Sequence, residues 1–505
     1  MPLSDIKHVF VLMLENRSYD HILGSIAISG ADPTGAPATA DGVPPGGATN
    51  LDSAGVAYAA SPTAPFVMPA DPPHEYDDVR RQLLGANGPT DNYDTTAITN
   101  SGFVLSYETV AGNNPRGAIM SSFAPGALPY LSQLAQQFCT CDRWFSSLPG
   151  PTVPNRFFLL AGSSNGSPKS PSEFSMIRGE LGAQFTFKNG TIFKRIKEQT
   201  QRRFVIYRGD DFPLSGLVDG VARSDTKLFD RAGFARDCSA AGLPDFIFIE
   251  PSYGVFSSYR TGNSMHPVGD VRAGDQLIKD VYEGIRGSAC WTQSVLVLIY
   301  DEHGGFFDHV VPPGGVPAPG DVPPLYHFDF TQLGLRVPAV VISPLIPART
   351  IDHTCYDHTS VLATLRALFP EIGWFTERDR LANDLSHLFT LSPATARTDA
   401  PLTLAAPAGS APMAVAPAAM AAAVDDDAEP PGHAEAAFVQ VAAHWHARIG
   451  KAKPAALRKR VAAVHTKGNA RDYLREVSAL LRQKEARKAP ATARRRKRKR
   501  AKAGA

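Results

Sequence analysis

The sequence lacks the cysteine spacing that builds disulfide frameworks or thiolate metal sites. Its five cysteines are odd in number and include no Cys-x-x-Cys pair; they are Cys139, Cys141, Cys238, Cys290 and Cys355. Neither a disulfide-stapled scaffold nor a cysteine zinc site is therefore supported. We expect most of these cysteines to be buried free thiols.

Long hydrophobic runs are also missing. The amino-terminal segment MPLSDIKHVFVLML has no basic leader and no small-residue cleavage site, and its apolar run ends in charge after too few residues to cross a bilayer. This pattern predicts neither a signal peptide nor a transmembrane segment. We therefore expect the protein in the cytoplasm, unless another route exports it.

An excess of charge of one sign is absent from the chain as a whole but not from its parts. The formal net charge is +2, yet residues 433–505 carry 21 Lys and Arg against 4 Asp and Glu, which leaves −15 on residues 1–432. The run RRRKRKRAK at 494–502 is typical of a solvated arm that binds a polyanion or an anionic membrane surface. A polyanion-binding protein that acts through this basic arm is one alternative function.

Changes of composition along the 505 residues predict one main domain with additions. We assign residues 1–396 to the main domain and, within it, 26–125 to an insertion or lid, because residues 26–73 are poor in large apolar side chains. Residues 397–432 are rich in Ala and Pro, as in a linker. Helical periodicity returns over 433–489, and 490–505 is predicted to be a disordered basic tail.

Short apolar runs predict the main secondary structure. Buried parallel strands are expected at 8–14, 203–207, 246–249, 294–300 and 338–343, with helical patterns between them, the clearest at 268–287 and 358–369. Alternating strands and helices indicate an α/β fold with a mainly parallel central sheet flanked by helices. Loop insertions and a C-terminal helical or disordered basic extension complete this prediction.

Two of the predicted strands end in polar residues. HVFVLML is followed by Glu15 and Asn16, and SVLVLIY by Asp301, Glu302 and His303. Because ligands bind beyond the carboxyl ends of parallel strands, we expect these side chains to converge. Carboxylate and amide oxygens suit a divalent metal ion, and they leave Ca, Mg, Mn and Zn all open.

The segment SLPGPTVPNRFFLLAG at 147–162 supplies a hydroxyl group. Pro154 suits the first turn of a short helix that Gly162 ends, so Thr152 is expected at an amino terminus with free N–H donors. Beside a cation, this hydroxyl has the properties of a nucleophile in phosphoryl transfer. The alternative is that Thr152 only caps the helix.

Basic residues near these motifs are candidates for contacts with an anion. His74 and His266 lie in loop-like contexts from which both can reach an anion in the cleft, and His303 follows the acids. A protonated histidine near a leaving oxygen is suited to general acid catalysis. Arg17 is either a phosphate contact or a salt-bridge partner of the neighbouring acids.

Three motifs together resemble a known family. ENRSYDH (15–21), TVPNR (152–156) and DEHGGFFDHV (301–310), in this order, resemble the bacterial phosphoesterase family of non-haemolytic phospholipases C and acid phosphatases, in the alkaline-phosphatase-like superfamily. The resemblance covers residues 5–390. It implies an alkaline-phosphatase-like fold and metal-dependent hydrolysis of phosphoric monoesters or diesters, phospholipids included.

The resemblance also implies roles for individual residues. A phospho-enzyme would form on Thr152 and be hydrolysed by water. The implied metal ligands are Glu15, Asn16, Thr152, Asp301 and Glu302. His74 and His266 match histidines near the phosphate; we add His303 as a catalytic candidate and Asn155 and Arg156 as phosphate-binding candidates.

A serine esterase of the α/β-hydrolase class is the other alternative. GSSNG at 162–166 fits the G-x-S-x-G pattern around Ser164. A nucleophile elbow needs a strand before the serine and a helix after it, whereas here a helix is predicted before it and SPKSP follows. The sequence context therefore disfavours this alternative.

Overall fold

A computed structural model describes residues 5–44, 46–88, 97–171, 183–406, 426–449 and 454–502, and every structural statement below refers to these residues. They form two compact units. The first comprises 1–170, 186–210 and 218–422, and the second 171–185, 211–217 and 423–505. All the candidate site residues lie in the first unit.

An eight-stranded sheet forms the centre of the first unit, in the order β12-β6-β11-β10-β1-β9-β7-β8. Its strands are β1 (His8–Leu14), β6 (Cys139–Cys141), β7 (Phe204–Arg208), β8 (Thr226–Leu228), β9 (Phe246–Glu250), β10 (Ser294–Tyr300), β11 (Ala339–Ile342) and β12 (Ile351–Asp352). Two short hairpins lie outside it, β2 (Ser29–Ala31) with β3 (Pro37–Thr39), and β4 (Thr49–Leu51) with β5 (Ala57–Ala59). The predicted α/β fold with a mainly parallel sheet is confirmed.

Strands β1 and β10 are parallel neighbours at the middle of the sheet. Their register pairs Leu14 with Tyr300, the last residue of each strand. Both strands are apolar, and all of β10 and all but the first residue of β1 are buried, as expected for strands covered on both faces. The residues that follow the two strands, Glu15 and Asp301, therefore leave the sheet side by side.

Strand β11 corrects one prediction. The run at 338–343 was expected to be a parallel strand, but β11 is antiparallel to β10. A parallel return needs a crossover, usually a helix, and no α-helix lies between β10 and β11 in the described residues. The chain therefore returns directly, and an apolar run does not by itself reveal strand direction.

Helices flank the sheet. The first unit contains α1 (Tyr19–Leu23), α2 (Tyr76–Leu84), α3 (Phe103–Ala111), α4 (Pro129–Gln137), α5 (Thr152–Ala161), α6 (Ile192–Gln199), α7 (Arg231–Cys238), α8 (Val271–Arg286), α9 (Thr359–Leu368) and α10 (Glu377–Leu381). The helices predicted at 268–287 and 358–369 correspond to α8 and α9. Asp270 caps α8 by accepting a hydrogen bond from the Arg272 backbone N–H, as its sequence position favours.

The region 26–125 is more than a surface loop. Its first part carries the two hairpins, but α2 and α3 bury Val79, Leu83 and Phe103 in one apolar cluster with Phe306 and Phe307. Because those two phenylalanines belong to the DEHGGFFDHV segment, the second half of the region packs directly beneath the candidate site. Helices α2 and α3 are therefore part of the domain core.

The carboxy-terminal residues also differ in part from expectation. Backbone carbonyls of Ala400 and Pro401 accept hydrogen bonds from Arg286 and Tyr282 of α8, so the main body continues past 397. The rest of the predicted linker, 407–425, lies outside the described residues. In the second unit, α11 (His433–Ile449), α12 (Pro454–Val461) and α13 (Lys467–Lys502) follow.

Helix α13 extends to Lys502, although 490–505 was predicted to be disordered. Ala, Arg and Lys, which dominate 490–502, all have high helix propensity, and charge density alone did not reveal it. The side chains from 488 onward lie outside the described part, so the polyanion-binding arm stays a prediction. No helix in the described ranges is long and apolar enough to cross a membrane.

Candidate active site

The two strand ends meet in a buried polar cluster. Glu15, Asn16, Asp301 and Glu302 are all buried although each is polar or charged. The backbone N–H groups of Asn16 and Glu302 both donate to Asp301 Oδ1, at 3.0 and 2.7 Å. The structure therefore joins the two strand ends through Asn16, Asp301 and Glu302, and the Glu15 carboxyl group lies close enough for the charge of Asp301 to raise its pKa.

Asn16 lies at the centre of this cluster. Its φ of 59° is left-handed, a conformation that asparagine tolerates better than most residues, and it turns the chain sharply after β1. The side-chain amide contacts Glu302 Oε1 and donates to Thr152 Oγ1 at 3.3 Å. Asn16 thus joins the first and third motifs to the hydroxyl of the second.

Thr152 is the first residue of α5, preceded by Pro151 as the N-cap. Because Pro151 and not Thr152 occupies the N-cap position, Thr152 is the first helical residue and does not have the capping position expected in the alternative. Gly162 ends the helix in the left-handed conformation, as predicted. The Thr152 hydroxyl faces Asn16 at the end of the helix where free backbone N–H groups favour an anion.

Asn155 and Arg156, both expected to bind phosphate, are directed at the protein itself. The Asn155 side chain accepts from the Leu148 N–H at 3.1 Å and donates to the carbonyls of Gly150 and Pro151. It therefore holds the loop before Thr152 in place and has no group left for a phosphate. This corrects the role expected for Asn155.

Arg156 is a buried partner of the acids. Its Nε donates to Asp301 Oδ2 at 2.9 Å and its Nη2 to the Leu14 carbonyl at 3.1 Å, while Nη1 has no hydrogen-bond partner among the described residues. Attraction to Tyr253, Asp301 and Glu15 outweighs the burial that would lower its pKa, so the pKa is raised. Arg156 therefore stays charged, with both N–H groups of Nη1 without a protein acceptor among the described residues.

The acids perturb one another. Burial and the neighbouring Asp301 carboxylate raise the pKa of Glu15 to about 8. Burial likewise raises the pKa of Asp301 to about 6, although Arg156 opposes the shift. Burial also acts on Glu302, but His74 and His303 outweigh it and lower its pKa. Such closely placed carboxylates need positive charge to stay ionised together.

His74 and His266 lie beside each other at the site, with ring centroids 6.2 Å apart. The His74 Nδ1 is 2.6 Å from the Pro72 carbonyl, and Glu302 and Asp71 overcome the effect of burial and raise the pKa of His74 to about 9. Burial lowers the pKa of His266 to about 4. One imidazole is therefore charged and the other neutral at the same pH, the pattern of an acid and base pair.

His303, the third catalytic candidate, has both ring nitrogens engaged. Its Nε2 is 2.7 Å from Gln82 Oε1 and its Nδ1 is 3.3 Å from Glu302 Oε2. Desolvation lowers the pKa of His303. His303 therefore lies where it orients the Glu302 carboxylate, and a catalytic role for it stays a prediction.

Arg17 forms no salt bridge with the neighbouring acids among the described residues, and a contact between Arg17 and phosphate stays a prediction. Its Nε donates to the Met265 carbonyl at 2.7 Å and its Nη1 lies 2.9 Å from His21 Nε2. The guanidinium also stacks over Phe306, 4.7 Å from the ring centroid. Arg156 forms the salt bridge to the acids instead, because the Arg17 side chain is bound to the Met265 carbonyl.

Two supporting residues escaped the sequence analysis. His358 Nε2 lies 2.6 Å from the Asp301 carbonyl, and the Ser264 side chain is hydrogen-bonded to the Glu15 carboxyl group. His358 directly precedes α9 and makes no side-chain cap of that helix. Neither residue lies in a motif, so only the fold reveals that they border the strand ends.

The donor set fits a hard or borderline divalent cation. Glu15 Oε2 and Asn16 Oδ1 are both fully buried and without a hydrogen-bond partner among the described residues. Buried polar atoms are normally paired, so two such oxygens beside Asp301 and Glu302 indicate a ligand with positive charge. The residues named from sequence as metal ligands are therefore chemically suited to one.

A second acidic cluster has a different explanation. Asp20, Asp308 and His309 have potential ligand atoms within 4.8 Å of one another. However, Arg336 donates to Asp308 Oδ1 at 2.8 Å and to Asp20 Oδ1 at 2.9 Å. A guanidinium already supplies the positive charge there, so this cluster is an ion-pair network that ties α1 to the third motif.

Ser164 does not lie on a nucleophile elbow. It follows helix α5 and Gly162 directly, and no helix begins after it within the described residues up to 171. The side chain is buried. The serine esterase alternative therefore lacks the strand–turn–helix geometry it requires.

Comparison with known sequences identifies the class of protein. The chain belongs to the Phosphoesterase family, whose profile matches residues 6–370. Non-specific phospholipase C5 of Arabidopsis thaliana is 33% identical over 419 residues, covering 80% of this chain and 77% of the relative. Non-specific phospholipase C3 of the same plant is 32% identical over 417 residues, covering 79% and 76%.

A bacterial relative is phospholipase C B of Mycobacterium tuberculosis, 28% identical over 442 residues, with 77% of this chain and 78% of the relative covered. Among solved structures, the phosphonate monoester hydrolase of Agrobacterium radiobacter has a TM-score of 0.31 and 12% identity, covering 54% of this chain and 74% of that one. Nothing about function follows from a TM-score of this size. Family and relatives together make this protein a phosphoric ester hydrolase.

Proposed function

We propose that the protein hydrolyses phosphoric esters through a phosphothreonine at Thr152, beside a divalent cation held by Glu15, Asn16, Asp301 and Glu302. The observation that carries this proposal is the meeting of three motifs at Asn16, whose amide reaches both Glu302 and the Thr152 hydroxyl. The partnerless buried oxygens of Glu15 and Asn16 support the cation.

The residues of the chain have separate tasks in this proposal. A bound cation supplies the positive charge that lets the carboxylates ionise together and lowers the pKa of the Thr152 hydroxyl. The N-terminus of α5 provides N–H donors for the phosphoryl oxygens. The Nη1 of Arg156, which has no partner among the described residues, is a further donor for the phosphoryl oxygens.

The two histidines divide the proton transfers. His74, with its raised pKa, is charged and donates to the leaving ester oxygen when Thr152 attacks phosphorus. His266, with its lowered pKa, is neutral and accepts a proton from the water that hydrolyses the phosphothreonine. The Thr152 hydroxyl first loses its proton to solvent, and the P–O bond to the alcohol breaks when the Thr152 oxygen attacks. In the second step the Thr152 P–O bond breaks and the Thr152 oxygen leaves ionised. Transfer of the accepted proton from His266 to His74 then restores the starting state.

For the substrate, we propose phosphodiesters of the phospholipid type as well as phosphomonoesters. The support is the printed activity of the relatives, which are phospholipases C from a plant and a bacterium. The site itself fits any phosphoryl group that reaches Thr152.

The test compares p-nitrophenyl phosphate, bis-p-nitrophenyl phosphate and phosphatidylcholine as substrates. Thr152→Ala removes the nucleophile and is expected to lower kcat by about 10³-fold or more on every substrate the wild type turns over. Thr152→Ser is the matched control, because it keeps a hydroxyl at the same position. Wild-type turnover by a folded Thr152→Ala protein would remove Thr152 from the mechanism.

A further inference from the structure

The connection between β9 and α8 carries His266, and its backbone is unusual. Three of its residues other than glycine are left-handed: Ser258, Tyr259 and Met265, with φ values of 47°, 66° and 73°. A bulky side chain rarely adopts a positive φ, and such a conformation persists only where the surrounding structure imposes it. Tyr259 is therefore held in its place against the preference of its own backbone.

Hydrogen bonds close this connection and fix the Tyr259 backbone inside it. At the neck, the Asn263 N–H donates to the Ser252 carbonyl at 2.8 Å, and the Ser252 N–H donates to Asn263 Oδ1 at 2.6 Å. Within the closed segment, the Tyr259 N–H donates to the Gly254 carbonyl at 3.2 Å, and the Tyr259 carbonyl accepts from the Gly262 N–H at 3.2 Å. The direction of the Tyr259 ring is thus set by the segment that carries it.

The Tyr259 ring lies flat against the His266 imidazole. The two ring centroids are 4.1 Å apart and the ring planes differ by 17°, and both side chains are buried. The His74 ring, in contrast, meets the His266 ring at 71° with the centroids 6.2 Å apart. Tyr259 therefore covers one face of the imidazole and keeps water from that face.

The His266 imidazole lacks a hydrogen bond that would fix its plane. Its Nδ1 is buried and has no hydrogen-bond partner among the described residues. Its Nε2 is 3.7 Å from Asp71 Oδ2, which is too long for a hydrogen bond. The backbone is better anchored, because the His266 carbonyl accepts from the Gly269 N–H at 2.9 Å. The stack with Tyr259 therefore sets the plane of a ring that its own nitrogen atoms leave free to turn.

The same connection is tied to the end of β1. The Glu15 N–H donates to the Ser264 carbonyl at 2.9 Å, and Arg17 Nε donates to the Met265 carbonyl at 2.7 Å. These two contacts hold the chain directly before His266 against the acidic cluster. The backbone of His266 is therefore placed by β1, and the plane of its ring by the stack.

We propose that Tyr259 is a positioning residue, whose ring holds the His266 imidazole in the orientation that accepts a proton from the water attacking the phosphothreonine. The inference rests on the proposed function, which makes His266 the base of the second step. Tyr259 takes no part in the bonds that form and break, and it acts through His266. Loss of its ring should therefore slow the second step and leave the first unchanged.

The experiment measures the two steps separately with radiolabelled p-nitrophenyl phosphate. Rapid quenching gives the rate constant for formation of the phosphothreonine, and a chase with unlabelled substrate gives the rate constant for its decay. Tyr259→Asn removes the ring but suits the left-handed backbone, because asparagine adopts that conformation more readily than most residues. We expect decay to slow by about tenfold or more while formation stays unchanged, because only the base of the second step loses its orientation.

Three further variants control the measurement. Tyr259→Phe keeps the stacking ring and should retain the wild-type rate of decay. Tyr326→Asn is the matched control, because Tyr326 is also left-handed, with a φ of 59°, but is 55% exposed, and its loss should change neither step. Tyr259→Gly removes the ring with the least backbone strain, and it replaces Tyr259→Asn in the comparison if that variant does not fold.

Histidine NMR provides a readout that does not depend on turnover. The ring current of the aromatic side chain should shift the His266 ring protons upfield in the wild type and in Tyr259→Phe, and Tyr259→Asn should lose this shift. Unchanged His266 signals in Tyr259→Asn would overturn the proposal.

The kinetic outcomes separate this proposal from the proposed function. Decay at the wild-type rate in Tyr259→Asn, or equally slow decay in Tyr259→Phe and Tyr259→Asn, would overturn the role of the ring while leaving the phosphothreonine in place. A wild-type protein that turns over substrate without forming a phosphothreonine would overturn the proposed function, and this inference with it.

Discussion

At the scale of the residue, the charge of Asp301 depends on Arg156. Both side chains are almost fully buried, and Arg156 Nε donates to Asp301 Oδ2 at 2.9 Å. Breaking a buried pair by removing one partner leaves the other charge uncompensated in a poor solvent for it. Arg156 also fixes the end of β1 through the Leu14 carbonyl, so its loss affects two motifs.

We predict that Arg156→Met lowers the free energy of unfolding by about 3–5 kcal/mol in EDTA, because Asp301 is left buried and unpaired. Urea unfolding followed by circular dichroism measures the change. The double variant Arg156→Met/Asp301→Asn removes both charges and should recover part of the loss. A single Arg156→Met variant that unfolds at the wild-type urea concentration would contradict this explanation of the pair.

Sequence alone located the acids but not the direction of every side chain. Glu15 and Asp301 were predictable together because they follow two apolar runs whose carboxyl ends share one edge of the sheet. Asn155 and His303 also lie in the motifs, yet the Asn155 side chain bonds to the loop backbone and the His303 ring to Gln82. Those directions depend on partners far away in sequence, which no local pattern records.

At the scale of the element, the turn after β10 keeps the two strand ends in contact. Gly304 has a φ of 65°, and a Cβ at this position would clash with the Asn16 carbonyl oxygen. Its N–H donates to Glu302 Oε2 at 2.7 Å. A residue without a side chain is therefore required for Asn16 and Glu302 to approach each other.

We predict that Gly304→Ala lowers kcat by about tenfold or more, because the two strand ends must separate to admit the methyl group. Gly315→Ala is the matched control. Gly315 has a similar φ of 74° but nothing within 4 Å of the added Cβ, so only about 1 kcal/mol of backbone strain is expected. Steady-state kinetics and thermal unfolding of both variants provide the measurement. Equal activities in the two variants would show that the close approach at Gly304 is unimportant.

The positions of the strands were predictable from sequence, but the direction of one of them was not. The runs that became β1, β7, β9 and β10 were correctly predicted as parallel, because buried parallel strands are apolar throughout. Strand β11 is equally apolar and buried but antiparallel. The long connection before β11, which the structure describes in full, contains no α-helix, so the chain returns antiparallel. The apolar run of β11 itself does not show how that connection folds.

At the scale of the whole molecule, the buried carboxylates of Glu15, Asp301 and Glu302 lower the free energy of unfolding when they are ionised, unless a positive charge compensates them. The raised pKa values of Glu15 and Asp301 reflect the cost of ionising these buried groups. A ligand that binds only the native state stabilises it by mass action, with about 2.7 kcal/mol at a concentration of 100 Kd. The proposed cation should therefore be visible in global stability as well as in turnover.

We predict that a chelator lowers the thermal unfolding midpoint of the wild type and that one of Ca²⁺, Mg²⁺, Mn²⁺ or Zn²⁺ restores it. Glu15→Gln/Asp301→Asn removes two ligand charges, so this variant should show little response to either treatment. Differential scanning calorimetry measures the midpoints. A wild-type midpoint that is the same with chelator and with every metal would argue against a structural contribution from a bound cation.

The most direct measurement of the central claim is the site of phosphorylation during turnover. Enzyme mixed with saturating substrate is quenched in acid, digested and analysed by mass spectrometry. We predict one phosphoryl group on Thr152, lost when the quench is delayed until substrate is exhausted, and absent from Thr152→Ala. A phosphoryl group on another residue, or turnover by Thr152→Ala at the wild-type rate, would contradict the account.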